Sequence, residues 1–541
     1  MKTDKHFFSE VKGMVRRNLS YWLEIGLILL IVFAISTITL SASNPQTNPP
    51  GRDGGFFNYV GKAIGSGAKL YIDIWDSKGP MIFWINALGV GADYTRWGVF
   101  FIELCFETVA LFITYWVVKR LFGILPALGT VFIGALLLKL VIGTGNSTEE
   151  YSILFTWVTI LALVMLTTMN KMVFWSFFLM GTSIVFNFLL RANNTGTQVI
   201  VILVALFYVY TKKKETKFWQ SVAFLIIGAL TIVIPVSFYF IINGSLKAMI
   251  DASILYNFSY STATNTPFIN RVLPAINIFK KWLLVFLSIW LLSIWHLFDR
   301  KHNEITPFLI LAILALPMEI LMSSISGRAY VHYFICWIPA CMLLIAYGLS
   351  VVQNEVINPI FRQKCEATHT LVMLVLLFLI IAGTSFNTVY YTPKFVFGSM
   401  IHPSIKREYQ EPAARVVMGL TKDSDKVLVF AGQAGMNIMS QRDSIDGALF
   451  YPGINNSKIG LEVQDKFFEN LRADPPQLIL DGHSFHPQQI PAIDPKTRNN
   501  QRFLVTFSDN LEQVMSWINL HYEKYDEANG YIIYRLRNSS Q

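Results

Sequence analysis

Apolar residues along this chain gather in blocks of about 20, a length that crosses the hydrocarbon core of a bilayer when coiled as a helix. Eleven blocks are read as candidate spans, at 22–40, 97–118, 124–142, 151–169, 172–190, 197–210, 218–242, 282–298, 305–325, 331–352 and 371–390. The sixth is the shortest, and the residues from Asn193 onward can lengthen it. Two shorter stretches, 56–64 and 80–89, carry apolar residues at helical spacing within a polar region and predict amphipathic helices lying along the membrane interface.

The basic residues keep step with these spans. Lys2, Lys5, Lys12, Arg16 and Arg17 precede the first span, and Lys119 and Arg120 follow the second. Lys171 follows the fourth, Lys212, Lys213, Lys214 and Lys217 the sixth, Arg300 and Lys301 the eighth, and Arg362 and Lys364 the tenth. Every even-numbered span therefore exits into a basic loop, which assigns those loops to the cytoplasm. The N-terminus is then inside, and an odd span count puts the C-terminus outside. Ser41, Ala42 and Ser43 resemble a small-residue cleavage site, but the apolar stretch before them is long and begins late for a signal peptide, and predicts an uncleaved anchor.

Composition agrees with a polytopic protein. Of 541 residues 53% are hydrophobic and 15% charged, with a mean hydropathy of +0.46, which excludes an ordinary soluble domain. The formal charge of +9 needs no nucleic-acid partner, because topology accounts for the basic loops.

Three predicted outer segments, 41–96, 243–281 and 391–541, are too long or too polar to be turns. The last has short apolar runs, 426–430, 477–481 and 530–536, separated by helix-like stretches around 412–420, 461–471 and 510–520. Strands alternating with amphipathic helices predict a soluble α/β domain over 391–541, following a membrane module over 1–390. Cys105, Cys336 and Cys341 fall in spans and Cys365 in a cytoplasmic loop, so no outer segment holds a pair for a disulfide. No CxxC zinc pattern, P-loop or Rossmann fingerprint occurs.

The first outer segment is the most informative. Asp53 follows Arg52 just beyond the first span, with Gly54 and Gly55 allowing tight backbone geometry. Tyr71, Asp73, Trp75, Asp76 and Lys78 lie between the two predicted interfacial helices. For Asp73 and Asp76 a capping or turn role is the favoured reading, and for Asp53 a functional one. Glu149 and Glu150 stand where the fourth span begins, where the helix dipole explains one carboxylate and a cavity shared with Asp53 is a reading for the other.

Arg191 ends the fifth span, and Arg328, His332 and Tyr333 stand between the ninth and tenth. Basic residues are scarce at outer ends, so these predict an anionic partner such as a lipid phosphate, with snorkelling an equal alternative for Arg191. Glu103 and Glu107 within the second span and Glu319 within the ninth are buried acids, open to a polar pairing or a proton route.

These residues resemble the integral-membrane GT-C glycosyltransferases that use polyprenyl-phosphate sugar donors, among them glycosyltransferase family 39, the protein O-mannosyltransferases and the lipid A aminoarabinose transferases. The likeness rests on RDGGFFNYVGKAI…GAKLYIDIWDSKGP, on GNSTEEY and on SGRAYVHYF, together with the order of spans and outer segments. Gly79 stands where many relatives have a second Pro, and Arg52–Asp53–Gly54 lacks the adjacent Asp-Glu pair of the protein O-mannosyltransferases, which counts against a protein acceptor.

The resemblance implies a GT-C fold of about eleven helices, N-terminus inside, with a C-terminal extracytoplasmic α/β domain. It implies Asp53 as general base, with Glu149 or Glu150 beside it. Arg52, Lys78, Tyr71, Arg191, Arg328, His332 and Tyr333 are then the candidate donor-binding residues. A lipid phosphate is already a good leaving group, so no metal is required, although a divalent cation assisted by Asp53 with Glu149 or Glu150 stays open. The expected partners are a polyprenyl-phosphate-linked sugar, a glycan or glycolipid acceptor and the bilayer. The rival readings are a flippase for polyprenyl-linked glycans and a non-catalytic surface protein.

Overall fold

The computed structural model describes residues 22–169, 173–212, 215–258, 266–299, 305–357, 408–430, 433–445, 456–504 and 507–537. The predicted span at 371–390, the domain limit at 391 and Cys365 lie outside them, as do the basic residues expected before the first span and after the fourth, eighth and tenth.

Among the described residues eight helices are long and apolar enough to cross a membrane. They begin with α1 (Trp22–Ser43). Two shorter helices follow, α2 (Arg52–Gly65) and α3 (Pro80–Val90), and then α4 (Trp97–Phe122) and α5 (Ile124–Lys139). Next come α6 (Thr148–Thr168), α7 (Val173–Leu190), α8 (Gly196–Lys212) and α9 (Glu215–Ile242). A short α10 (Leu246–Ile250) leads to α11 (Phe268–Phe279), α12 (Leu283–Phe298), α13 (Thr306–Ser324) and α14 (Trp337–Val352).

Three spans differ from expectation. The third is a helix of 16 residues that stops at Lys139, short of the predicted 142. The eighth is one arm of a pair, α11 and α12, bent by 104°. The sixth is longer than predicted, because a 3-10 turn, Ala192–Thr195, leads directly into α8. Elsewhere glycine sets how closely helices approach. A Cβ at Gly181 of α7 would lie 2.0 Å from the Leu225 carbonyl of α9, and one at Gly228 of α9 would lie 2.1 Å from the Phe178 carbonyl of α7.

The C-terminal region carries a four-stranded sheet in the order β1-β2-β4-β3, built from β1 (Val427–Phe430), β2 (Leu478–Asp481), β3 (Tyr522–Ala528) and β4 (Tyr531–Leu536). β1 and β2 are parallel, and β4 runs antiparallel to both β2 and β3. The three apolar runs are β1, β2 and β4, while β3 went unpredicted. It is a polar edge strand, joined to β4 through Asn529 and Gly530, both at positive φ, the pair that a two-residue hairpin demands. Helices at Pro412–Leu420, Lys458–Ala473 and Leu511–His521 match the predicted ones.

The sheet does not stand apart from the membrane helices. One apolar core runs through Phe57 of α2, Phe83 of α3, Leu428 of β1 and Ile479 of β2, none more than 1% exposed. Gly55 makes the docking possible, since a Cβ there would lie 2.7 Å from the Cα of Gly435. Polar ties reinforce it: Lys62 Nζ meets Asp443 at 2.5 Å, and Glu408 accepts from Arg96 Nε at 3.1 Å and from the Arg96 backbone N–H at 2.7 Å. α2 is therefore buried from Gly54 to Lys62, a correction to the half-exposed interfacial helix that its pattern predicts.

Candidate functional site

The N-terminal turn of α2 carries Arg52 and Asp53, with Gly51 as N-cap. An acidic residue in the first turn is favoured by the unpaired N–H groups there. Asn146 clamps that turn from below. It sits at φ 54, and its side-chain amide donates to the Gly54 carbonyl at 3.0 Å and to Asn86 Oδ1 of α3 at 2.8 Å. Its Oδ1 accepts from the Tyr151 hydroxyl of α6 at 3.0 Å. Gly54 and Gly55 are helical rather than part of a tight turn. What their missing Cβ atoms allow is contact, with Asn146 on one side and Gly435 on the other.

Asp53 faces a cavity of about 760 Å³ whose walls include Arg52, Lys78, Arg191, Arg328, His332 and Tyr333. The Asp53 side chain is 42% accessible, and His332 Nε2 lies 3.8 Å from its Oδ2. Lys78 Nζ lies 3.9 Å from Asp76 Oδ1 and 5.8 Å from the centre of the Phe57 ring. The Arg191 guanidinium stacks 3.7 Å over the Tyr333 ring, and its Nη1 is ion-paired with Glu149. Arg52 Nη1 donates to Gln489 Oε1 at 3.0 Å, reaching into the C-terminal region.

The charges tune one another. Burial pushes the Asp53 carboxyl up, but Lys78, His332, Arg52 and Arg191 together outweigh it and hold the group below its ordinary value. Burial opposes the charge on Lys78, yet Asp76 and Asp53 overcome it and raise its pKa, so the ammonium persists well above neutral pH. Burial raises Asp76, and the Lys78 charge and backbone N–H only partly offset this.

The predicted residues do not all meet at the cavity. Tyr71 does not line it. Held at φ 68, it donates its hydroxyl to the Lys78 carbonyl at 2.7 Å and so braces the segment that carries Lys78. Glu149 stands behind Arg191, and its second oxygen accepts from Thr148 Oγ1 at 2.9 Å. Glu150 closes a capping box with Ser147 at the start of α6, the reciprocal pair that STEE encodes. Neither glutamate lines the cavity with Asp53.

The remaining acids sort differently. Asp73 accepts from the Lys69 backbone N–H at 2.8 Å in a turn, whereas Asp76, read from sequence as a turn residue, both turns the chain at Lys78 and lines the cavity. Glu319 accepts from the Thr197 backbone N–H at 2.5 Å and so satisfies the start of α8. Glu103 and Glu107 are buried in α4.

Sequence reasoning missed His486 and Gln489, which line the cavity from the loop after β2. The signal was available: a polar run, GHSFHPQQ, directly follows a strand, and ligands of α/β sheets gather beyond strand C-termini. It missed Asn146 too, whose partners Gly54 and Asn86 lie 92 and 60 positions away in sequence.

Over residues 24–411 the chain matches the family described as "Putative competence-induced protein Ccs4 N-terminal domain". The chain belongs to this family. No curated protein matches it. Among solved structures it resembles ArnT from Cupriavidus metallidurans bound to undecaprenyl phosphate, at 12% identity and a TM-score of 0.55, over 96% of this chain and 98% of that one. It also aligns with the oligosaccharyltransferase AglB from Archaeoglobus fulgidus at 10% identity and a TM-score of 0.43, over 85% and 69% of the two chains. The family member described here thus has the GT-C fold of a multi-pass membrane protein, with a small sheet region at its C-terminal end.

Proposed function

We propose that the protein is a glycosyltransferase that moves a sugar from a polyprenyl-phosphate donor to an acceptor hydroxyl on the extracytoplasmic face of the membrane. The observation that carries this reading is the two-sided character of the cavity. Val141, Ile142, Phe188, Ile254, Phe258 and Ile325 give it apolar walls where the helices end, while Lys78, Arg191 and Arg328 give it cationic walls beside Asp53. An apolar chain ending in a phosphate fits such a cavity. ArnT, which shares the fold, was solved with undecaprenyl phosphate bound.

In the proposed reaction the acceptor oxygen attacks the anomeric carbon as the bond from that carbon to the phosphate oxygen breaks. The bonding electrons leave with polyprenyl phosphate, and the acceptor proton passes to Asp53. Lys78, Arg191 and Arg328 balance the charge that grows on the departing phosphate. In this reading the N-terminus is inside and the C-terminus outside, the orientation that the pattern of basic loops favours, and the cavity opens to the side where only lipid-carried sugars are at hand. The acceptor in this reading is a cell-surface polysaccharide or glycolipid. The reaction asks for no metal, because the leaving group is stabilised by side chains.

Purified protein in nanodiscs, given a panel of undecaprenyl-phosphate sugars and a cell-wall glycan extract, should transfer sugar with or without EDTA. Asp53→Asn should abolish transfer and keep lipid binding. Full transfer by that variant would remove Asp53 as base, loss of wild-type transfer in EDTA would install a metal, and no donor turnover with folded protein would favour a flippase.

A further inference from the structure

The loop after β2 is held rigidly while two of its side chains reach the cavity. Asp481, fully buried at the end of β2, accepts from the backbone N–H of His483 at 2.9 Å, from that of Ile493 at 2.8 Å, and pairs with His483 Nδ1 at 3.0 Å. Gln501 ties the middle, donating to the Pro487 and Ile490 carbonyls at 3.0 Å each and accepting from the Ala492 N–H at 2.8 Å. So anchored, the loop presents His486 and Gln489 to the cavity, with Gln489 receiving Arg52. Burial and the nearby Arg52 hold His486 below its ordinary value against the pull of Asp53, so the ring is neutral near pH 7. A neutral imidazole offers one donor and one acceptor nitrogen, and an amide offers both kinds as well.

Resting on the lipid-phosphate reading above, we propose that His486 and Gln489 bind the sugar of the donor, and that this sugar is uncharged. The order of groups along the cavity supports this. The lipid chain lies against apolar walls at the helix ends, and its phosphate meets Lys78, Arg191 and Arg328. The sugar, attached on the far side of the phosphate, extends past Asp53 toward the wall that the C-terminal loop supplies. Charge decides the class of sugar. Arg52 stands at this end of the cavity, donating to Gln489 and close enough to His486 to depress its pKa, with Asp53 beside it in the first turn of α2. A free amine on the sugar would face Arg52 and a carboxylate would face Asp53 in a partly desolvated site, whereas hydroxyls match the imidazole and amide.

The test uses the full chain in nanodiscs and compares binding of undecaprenyl phosphate with that of its glucose, galactose, mannose, N-acetylglucosamine and 4-amino-arabinose conjugates. At least one uncharged conjugate should bind wild type about tenfold more tightly than the bare lipid phosphate, a gain that comes from the sugar. His486→Ala and Gln489→Ala should each erase most of that gain and leave affinity for undecaprenyl phosphate within about twofold, which also reports an intact fold. His486→Gln, which keeps a donor and an acceptor, should retain part of it. The inference is overturned if the gain survives both alanine variants, if the amine-bearing conjugate alone shows it, or if no sugar adds affinity. Wild type that does not bind undecaprenyl phosphate would instead sink the reading on which the inference rests.

Discussion

Arg191 in the cavity wall is ion-paired with Glu149 behind it, with Glu149 2% and Arg191 14% accessible. With Tyr333 beneath it, the guanidinium is fixed on two sides before any ligand arrives. Removing one partner of a buried pair leaves an uncompensated charge, at a cost of about 3 kcal/mol or more. Glu149→Ala should therefore lower the thermal unfolding temperature markedly, and Glu149→Gln, which still accepts a hydrogen bond, should do so less. A variant that unfolds like wild type while losing all activity would instead make Glu149 a member of the reaction chemistry.

Asp53 is held below its ordinary value of 3.8, so in the folded protein it is ionised at every pH above that value. Loss of the base by protonation then begins only as pH falls through the depressed value, below the ordinary carboxylate range. The ratio of wild-type to Asp53→Asn kcat/KM should be constant, at about 100 or more, between about pH 5 and pH 8. A ratio that collapses near pH 6 in the pH–rate profile would contradict the assignment.

Lys78 keeps its charge, so its contribution to phosphate binding should persist to high pH. Lys78→Met and Arg328→Ala should each weaken undecaprenyl phosphate binding by about tenfold or more, the loss of a charged partner, and by more than Asp53→Asn does. Unchanged affinity in either variant, measured by equilibrium binding in nanodiscs, takes that residue out of the phosphate site.

Tyr71 acts on the site through the Lys78 carbonyl. Tyr71→Phe keeps the ring packed against Phe83 and Phe240 and deletes only the hydroxyl. About 1 kcal/mol is expected from the lost hydrogen bond, seen as a severalfold weaker lipid-phosphate affinity with a small change in unfolding temperature. Equal affinity in the two proteins would show that the brace does not position Lys78.

Gly79 permits the Lys78 segment to lie against the end of α7, because a Cβ there would be 2.0 Å from the Leu189 carbonyl. A backbone carbonyl cannot swing aside as a side-chain tip can. Gly79→Ala should destabilise the protein by about 1–3 kcal/mol, the usual cost of overpacking. This contact also explains why a second Pro, which brings a Cβ, does not fit between Lys78 and Pro80 in this chain. Wild-type stability of the alanine variant in thermal unfolding would refute the close contact.

The sequence by itself determined the features that depend on local period and local chemistry. Apolar blocks of spanning length, the helices α2 and α3, and the strands β1, β2 and β4 were all legible, because each is encoded within a few turns of chain; the STEE cap on α6 is equally local, but Glu149 and Glu150 were read as partners of Asp53 instead. Asp53, Lys78, Arg328 and His332 could be singled out one by one, since a charged residue near a membrane boundary stands out against its neighbours. Only the tertiary structure decided which of them meet. It turned Glu149 to Arg191 and Tyr71 to the Lys78 carbonyl, and it placed Asp76 in the cavity. It also buried α2 under the C-terminal region and brought His486 and Gln489 to Asp53 and Arg52 across more than 400 positions of chain. The physical reason is that a helix or a cap is fixed by neighbours three or four residues away, whereas a cavity is fixed by packing. Close contacts such as Gly55 with Gly435 exist only once distant segments have docked.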